Sequence, residues 1–148
     1  MRYTSISPTL EVTAGAYTNG DVVGGRVALP APFIDASGFK LHQVVMRDQA
    51  AQIADLRLHF YNVLPDAISD NAAFARDDDE LLKWIGAVDV TTFVALAANS
   101  HAIVSGLDLW LPAQLGTIWM YIQVNDASPP TFAATDDLSI VLTVSDGG

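Results

Sequence analysis

Cysteine is absent from the 148-residue chain. That excludes a disulfide framework, a thiolate metal site and a cysteine nucleophile, and it fits synthesis in a reducing compartment. Positive charge is scarce: 7 Lys and Arg stand against 17 Asp and Glu, for a net charge of −10. With no basic stripe to neutralise phosphates, neither nucleic acid nor an anionic membrane is an expected partner. Charge of either sign is low, at 16% of residues against the usual ~25%. No uncharged apolar run reaches the ~18 residues of a membrane span. The opening "MRYTSISPTLEVTAG" lacks the apolar stretch of a secretory signal, so a soluble product made inside the cell is expected.

What the chain does hold is apolar: 51% hydrophobic residues and a mean hydropathy of +0.30. Its length fits one domain, burying about 68–70% of its unfolded surface. A rich core beneath a lightly charged surface implies that part of that surface meets a partner.

Period-2 alternation dominates the pattern. Leu56, Leu58 and Phe60 share one face of 53–63. Ile118, Met120, Ile122 and Val124 do so in 117–124, and Leu138, Ile140, Leu142 and Val144 in 137–145. Such segments read as strands with one buried side. Weaker strands are expected at 9–14, 22–29, 39–48, 88–96, 101–106 and 107–111. The total is eight or nine antiparallel strands, at the spacing of a sandwich or barrel. Loops are expected at 29–38, 64–71 and 125–137. The segment 76–86, "RDDDELLKWIG", predicts one short helix with Asp77 or Asp78 as its cap, Leu81, Leu82 and Ile85 toward the core, and Gly86 at its end. Residues 1–8 read as an arm preceding a domain over 9–148, either disordered or ordered against a neighbour.

No arrangement carries obvious chemistry. "AGAYTNGDVVGG", residues 14–25, is motif-like, but a strand-like run follows its glycines where a phosphate loop requires a helix with Lys and Ser or Thr. Asn19 and Gly20 favour a tight hairpin turn. Gly24 and Gly25 within a strand predict a bulge or a close backbone approach. Asp77 to Glu80 enter a helix in different directions and cannot converge on one cation. His42, His59 and His101 lack metal-binding spacing. No catalytic, cofactor-binding or metal-binding residue is assigned, and no enzyme activity is expected. Among the aromatics, Trp119 and Tyr121 lie opposite their strand's apolar ladder, and Trp110 alternates with Leu109 and Leu111. Sugar stacking, a subunit contact and internal packing all remain open for them.

Ala14, Gly15, Ala16 and Tyr17, followed by Asp21, Val22, Val23, Gly24 and Gly25, make a segment that resembles small structural proteins of tailed bacteriophages. Asn71, Phe74, the acids Asp77 to Glu80, and then Ile85, Gly86 and Val88 also resemble that group, in its order. The resemblance implies a jelly-roll β-sandwich that decorates, or cements, the outer surface of a phage head. It implies a homo-oligomer (a dimer or a trimer), the major capsid protein as partner, and no catalytic residues. Arg2, Tyr3, Ile6, Trp110, Trp119 and Tyr121 are the candidate partner contacts. The competing reading is a carbohydrate-binding or adhesin-like module of a virion or tail, using Trp119 and Tyr121. A metal enzyme of cupin type is the third, disfavoured by three histidines in unrelated contexts.

Overall fold

The computed structural model describes residues 1–33, 36–113 and 115–147. The alternating segments become strands β3 (Val22–Pro30), β4 (Gly38–Asp48), β5 (Leu56–Tyr61), β10 (Thr117–Val124) and β12 (Leu138–Ser145). Shorter strands accompany them: β1 (Tyr3–Ile6), β2 (Gly15–Ala16), β6 (Trp84–Val90), β7 (Val94–Leu96), β8 (Asn99–Val104), β9 (Leu109–Pro112) and β11 (Thr131–Phe132). One helical turn, α1, spans Asp78–Leu81.

The first sheet runs β1-β12-β4-β8-β7, with β9 also pairing β4, and the second runs β3-β10-β5-β6. All their pairs are antiparallel. Taking β1, β3, β4, β5, β6, β8, β10 and β12 as strands 1 to 8, the sheets read 1-8-3-6 and 2-7-4-5. That order is a long hairpin rolled twice upon itself, the topology of a jelly roll. Leu142, Ile140, Met46, Val44 and Phe39 of the first sheet meet Leu29, Ile118, Met120, Leu58 and Phe60 of the second in one buried core.

Four expectations differ from the structure. Residues 9–14 form no strand; Leu10 and Val12 alternate into the core, but among the described residues the one ladder-like bond there runs from Val12 N to Thr135 O. The 88–96 run is two strands, because the chain changes sheets between β6 and β7. Residues 1–8 do not hang free: β1 pairs with β12 in register from Tyr3↔Ser145 to Ile6↔Leu142. The predicted 76–86 helix shrinks to one turn. Asp77 caps it, its carboxylate accepting from Glu80 N at 2.9 Å, but Glu80 is the buried residue, while Leu81 and Leu82 are 60% and 85% exposed. A single turn closes few hydrogen bonds, whereas Trp84 onward pairs with β5 from Tyr61 to Leu56. Strand pairing wins.

The glycine segment forms a turn and a bulge. Asp21 N donates to Thr18 O at 3.1 Å across the Asn19–Gly20 turn, and Gly20 takes φ +94°. The turn joins β2 to β3, which do not pair with each other. The register of β3 on β10 then jumps from Val23↔Ile122 to Val27↔Met120. Residues 24–26 therefore face Tyr121 alone. Gly24 and Gly25 adopt φ +82° and +69°, conformations that cost a side-chain-bearing residue about 1 kcal/mol or more. At this bend, Gly24 N donates to the Asp70 carboxylate at 2.7 Å. The same carboxylate accepts from the Tyr17 hydroxyl at 2.7 Å and from the Thr13 hydroxyl. Burial and the Asp70 hydrogen bond push the Tyr17 phenol well above its ordinary value, so it serves as a neutral donor.

Replacing Asp70 with Ala should leave three donors short of an acceptor and lower stability by about 3 kcal/mol, read by chemical denaturation. A loss within ~0.5 kcal/mol would show that the carboxylate is incidental. Deleting residues 1–8 should lower the unfolding midpoint and promote aggregation through the uncovered β12 edge; an unchanged, monodisperse protein would refute that.

Candidate interaction faces

The two sheets turn very different outer surfaces to solvent. On the first, cross-strand pairing sets out rows of outward residues. Ser139, Arg47, His101 and Val94 form one row, and Val141, Val45 and Ile103 the next. Thr143 and Gln43 continue it, and Tyr3, Lys40 and Trp110, with the buried Ser145 between them, close the far end. Ile103 is 49%, Trp110 39% and Tyr3 61% exposed. None of these outward positions is a carboxylate, in a chain that holds 17. The one acid on the strands of this sheet is Asp48, which is buried. Its carboxylate accepts from Ala50 N and Gln52 N at 2.8 and 2.7 Å, while burial raises its pKa.

The cations of this face are Lys40 and Arg47. Lys40 reaches Asp108 at its margin, at 2.7 Å, and among the described residues no carboxylate pairs with Arg47. A shallow depression of about 290 Å³ beside Arg47 is lined by Gln49, Leu96, Asn99, His101 and Ser139, with the buried Asp48 and Ser100 at its floor. Rich in β-branched residues and without an exposed carboxylate on its strands, the face meets less of the repulsion that an acidic protein surface would otherwise impose.

On the second sheet, the connection from β5 to α1 crosses the outer side. Tyr121 donates to Asp66 O at 2.6 Å and accepts from Ile68 N at 3.1 Å. Phe74 stacks on His59, with centroids 4.4 Å apart and planes at 17°. Tyr61, Tyr121 and Val22 thus form a second small core, with Ile68, Phe74 and Trp119 against it. Arg76 lies in this layer, its guanidinium 4.5 Å from the Tyr121 centroid. It bonds Asp66 O at 2.9 Å and Glu80 at 3.3 Å. Burial alone would raise the Glu80 carboxyl, but hydrogen bonds from Lys83 and Asp66 N and the charges of Lys83 and Arg76 hold it below its ordinary value.

Four of the six predicted contacts belong to the first sheet or its edge. Tyr3 and Trp110 lie on its outer face; Arg2 pairs with Asp146 at its margin, at 2.8 Å; Ile6 is partly buried against the core. Trp119 and Tyr121 belong to the second sheet. Tyr121 is fully buried, and Trp119 is half-buried with the Arg26 guanidinium 5.4 Å from its ring centroid. Alternation placed them opposite the ladder correctly, but the 62–77 connection covers that side. They present no joint platform for a sugar. His42 bonds Ser145 Oγ at 2.8 Å, and among the described residues no three metal-ligating side chains converge.

No protein-family model matches the chain. No curated protein matches it either. Among solved structures it is similar to a chain in the X-ray structure of Tomato aspermy virus, at 10% identity and a TM-score of 0.36. That match covers 97% of this chain and 75% of the other. The jelly-roll assignment rests on the strand order.

His59 supplies a pH handle. Trp84 Nε1 donates to its Nδ1 at 3.2 Å, and its Nε2 meets Gln123 Oε1 at 2.9 Å. An indole can only donate, so the ring is neutral with its proton on Nε2. Burial, chiefly, holds its pKa below 6.5. The unfolded chain therefore binds the proton more tightly, and this contribution to stability is complete above about pH 6.5 and lost as pH falls toward the folded value. An NMR titration should place the His59 midpoint below 6.5, with unfolding midpoints declining over that window; a midpoint at or above 6.5 would contradict the arrangement.

Proposed function

We propose that this protein is a virion structural protein of the capsid decoration type. It docks on the outer surface of a phage head through the outer face of its first sheet and bridges neighbouring capsid subunits. The observation that carries the reading is that face: uncovered, β-branched, and empty of carboxylates in a chain of net charge −10. The resemblance of residues 14–25 and 70–90 to phage structural proteins supports it.

The occupant is a capsid surface bearing carboxylates around apolar residues. The 36 strand residues of this sheet, at ~3.3 Å rise and ~4.8 Å strand spacing, offer roughly 500–600 Å², nearing the ~800 Å² per partner of a stable complex. Val141, Val45 and Ile103 supply the apolar centre, while Arg47 sets register and excludes basic surfaces. One such footprint is modest, so a dimer or trimer adds avidity by placing several copies on adjacent subunits. The acidic loops over the second sheet then face outward, away from the shell. The reading assigns no catalytic role to any residue, and β1 serves as a structural strand of the docking sheet.

Purified protein should co-sediment with undecorated capsids stoichiometrically and saturably. The double variant Arg47→Glu, Ile103→Asp alters two surface positions, so it should fold normally and lose at least about tenfold in affinity, some 1.4 kcal/mol. Unaltered occupancy on the particles, with a normal unfolding midpoint, would sink the assignment of this face.

A further inference from the structure

We propose that a pocket on the outer side of the second sheet receives an apolar side chain from a protein segment flanked by Lys or Arg. The pocket measures about 220 Å³ and is lined by His59, Tyr61, Phe74, Arg76, Leu81 and Trp84. It lies on the opposite side of the sandwich from the carboxylate-free face and does not depend on the capsid reading.

The walls are set before anything binds. Phe74 stacks on His59, whose ring is held between Gln123 and the Trp84 indole. The polar groups in the lining are turned inward, away from solvent. Arg76 gives Nη1 to Asp66 O and Glu80. Its Nε and Nη2 are buried without a hydrogen-bond partner, and its guanidinium lies 5.4, 5.6 and 4.5 Å from the ring centroids of Tyr61, Phe74 and Tyr121. Those N–H groups meet aromatic faces. Glu80 neutralises the charge and takes Lys83 as well. What remains open toward solvent is mainly carbon, which suits an apolar anchor better than an ion.

Around the opening, apolar surface continues without cover. Leu81 and Leu82 stand out from α1, and Trp84 is 39% exposed on β6, an edge strand of its sheet. Charge selects the occupant. Asp77, Asp78 and Asp79 are exposed beside the lining residues, while the neighbouring cations Arg76 and Lys83 are both paired with Glu80. The rim is negative, so Lys or Arg flanking the anchor are favoured and an acidic segment is repelled. The carboxylate-free face of a second copy matches the sign, but its large apolar side chains sit within rows of paired strands. An extended segment projects a Leu or Phe freely between flanking cations.

The test uses the intact protein and three labelled peptides read by fluorescence anisotropy: Lys-Arg-Leu-Phe-Arg-Lys, its Ser-Ser counterpart, and Glu-Asp-Leu-Phe-Asp-Glu. The first should bind saturably, at least tenfold tighter than the other two. Leu81→Glu and Trp84→Ala should each weaken it at least tenfold, while Arg47→Glu leaves it unchanged. Asp78→Lys with Asp79→Lys leaves the walls intact and should weaken it at low salt, which keeps the claim open to refutation if a wall variant fails to fold. Equal binding of the Ser-Ser peptide, no saturable binding, or indifference to the pocket and rim variants would overturn the proposal. Free protein whose self-association is abolished by Leu81→Glu would assign the pocket to a second copy and overturn it equally. Capsid binding by wild type would be untouched by any of these failures.

Discussion

The Asp70 carboxylate is bound by donors from three separate places: the Thr13 hydroxyl, the Tyr17 hydroxyl and the backbone of Gly24. Two come from stretches without a long ladder, and the third from the point where the ladder of β3 is interrupted. Thr13 lies in the irregular N-terminal run, Tyr17 just past the two-residue β2, and Gly24 at the bulge of β3. Where short segments cannot satisfy one another's backbone groups, a charged acceptor shared among them is a compact solution. The bulge depends on it, since the positive φ angles at Gly24 and Gly25 bend β3 outward to bring that amide within reach. The connection carrying Asp70 is thereby held across the second sheet, with Ile68 and Phe74 on the aromatic layer. Cover on one side of the sandwich, and its lack on the other, follow from this attachment.

That asymmetry organises charge. The negative groups collect in loops and turns, where they cap α1, bind turn amides and close ion pairs. Strand positions of the first sheet are left to hydroxyls, β-branched residues, Lys40, Arg47 and two histidines. The distribution gives the molecule a directional field despite its high net charge.

Much of the fold was legible because long alternating strands declare themselves. Leu56, Leu58 and Phe60 face the core as their spacing required, and the glycine pair marked a bulge for the reason expected. What was hidden had short range or distant causes. β1, β2 and β11 contain two to four residues, too few for a periodic signal. The helix pattern at 76–86 reflected a real cap at Asp77, but β5, about twenty residues earlier, captured Trp84 onward. Tyr121 misled for a related reason: alternation reports which side a residue takes, not whether a later loop covers that side. The carboxylate-free face was present in the sequence, as the absence of Asp and Glu from alternate positions in 139–143, 43–47 and 99–103. Only the strand order shows that those three runs lie side by side.

The pairing of β12 between β1 and β4 has a temporal meaning. Arg2 and Asp146, 144 positions apart, meet at the sheet's margin. The first sheet therefore cannot close until its last strand has left the ribosome, and contacts of such separation form slowly. Until then β1 and β4 keep unpaired edges and uncovered apolar faces, the state in which chains most readily find one another. The scarcity of long unbroken apolar runs and the high net charge protect the growing chain as well as the finished one.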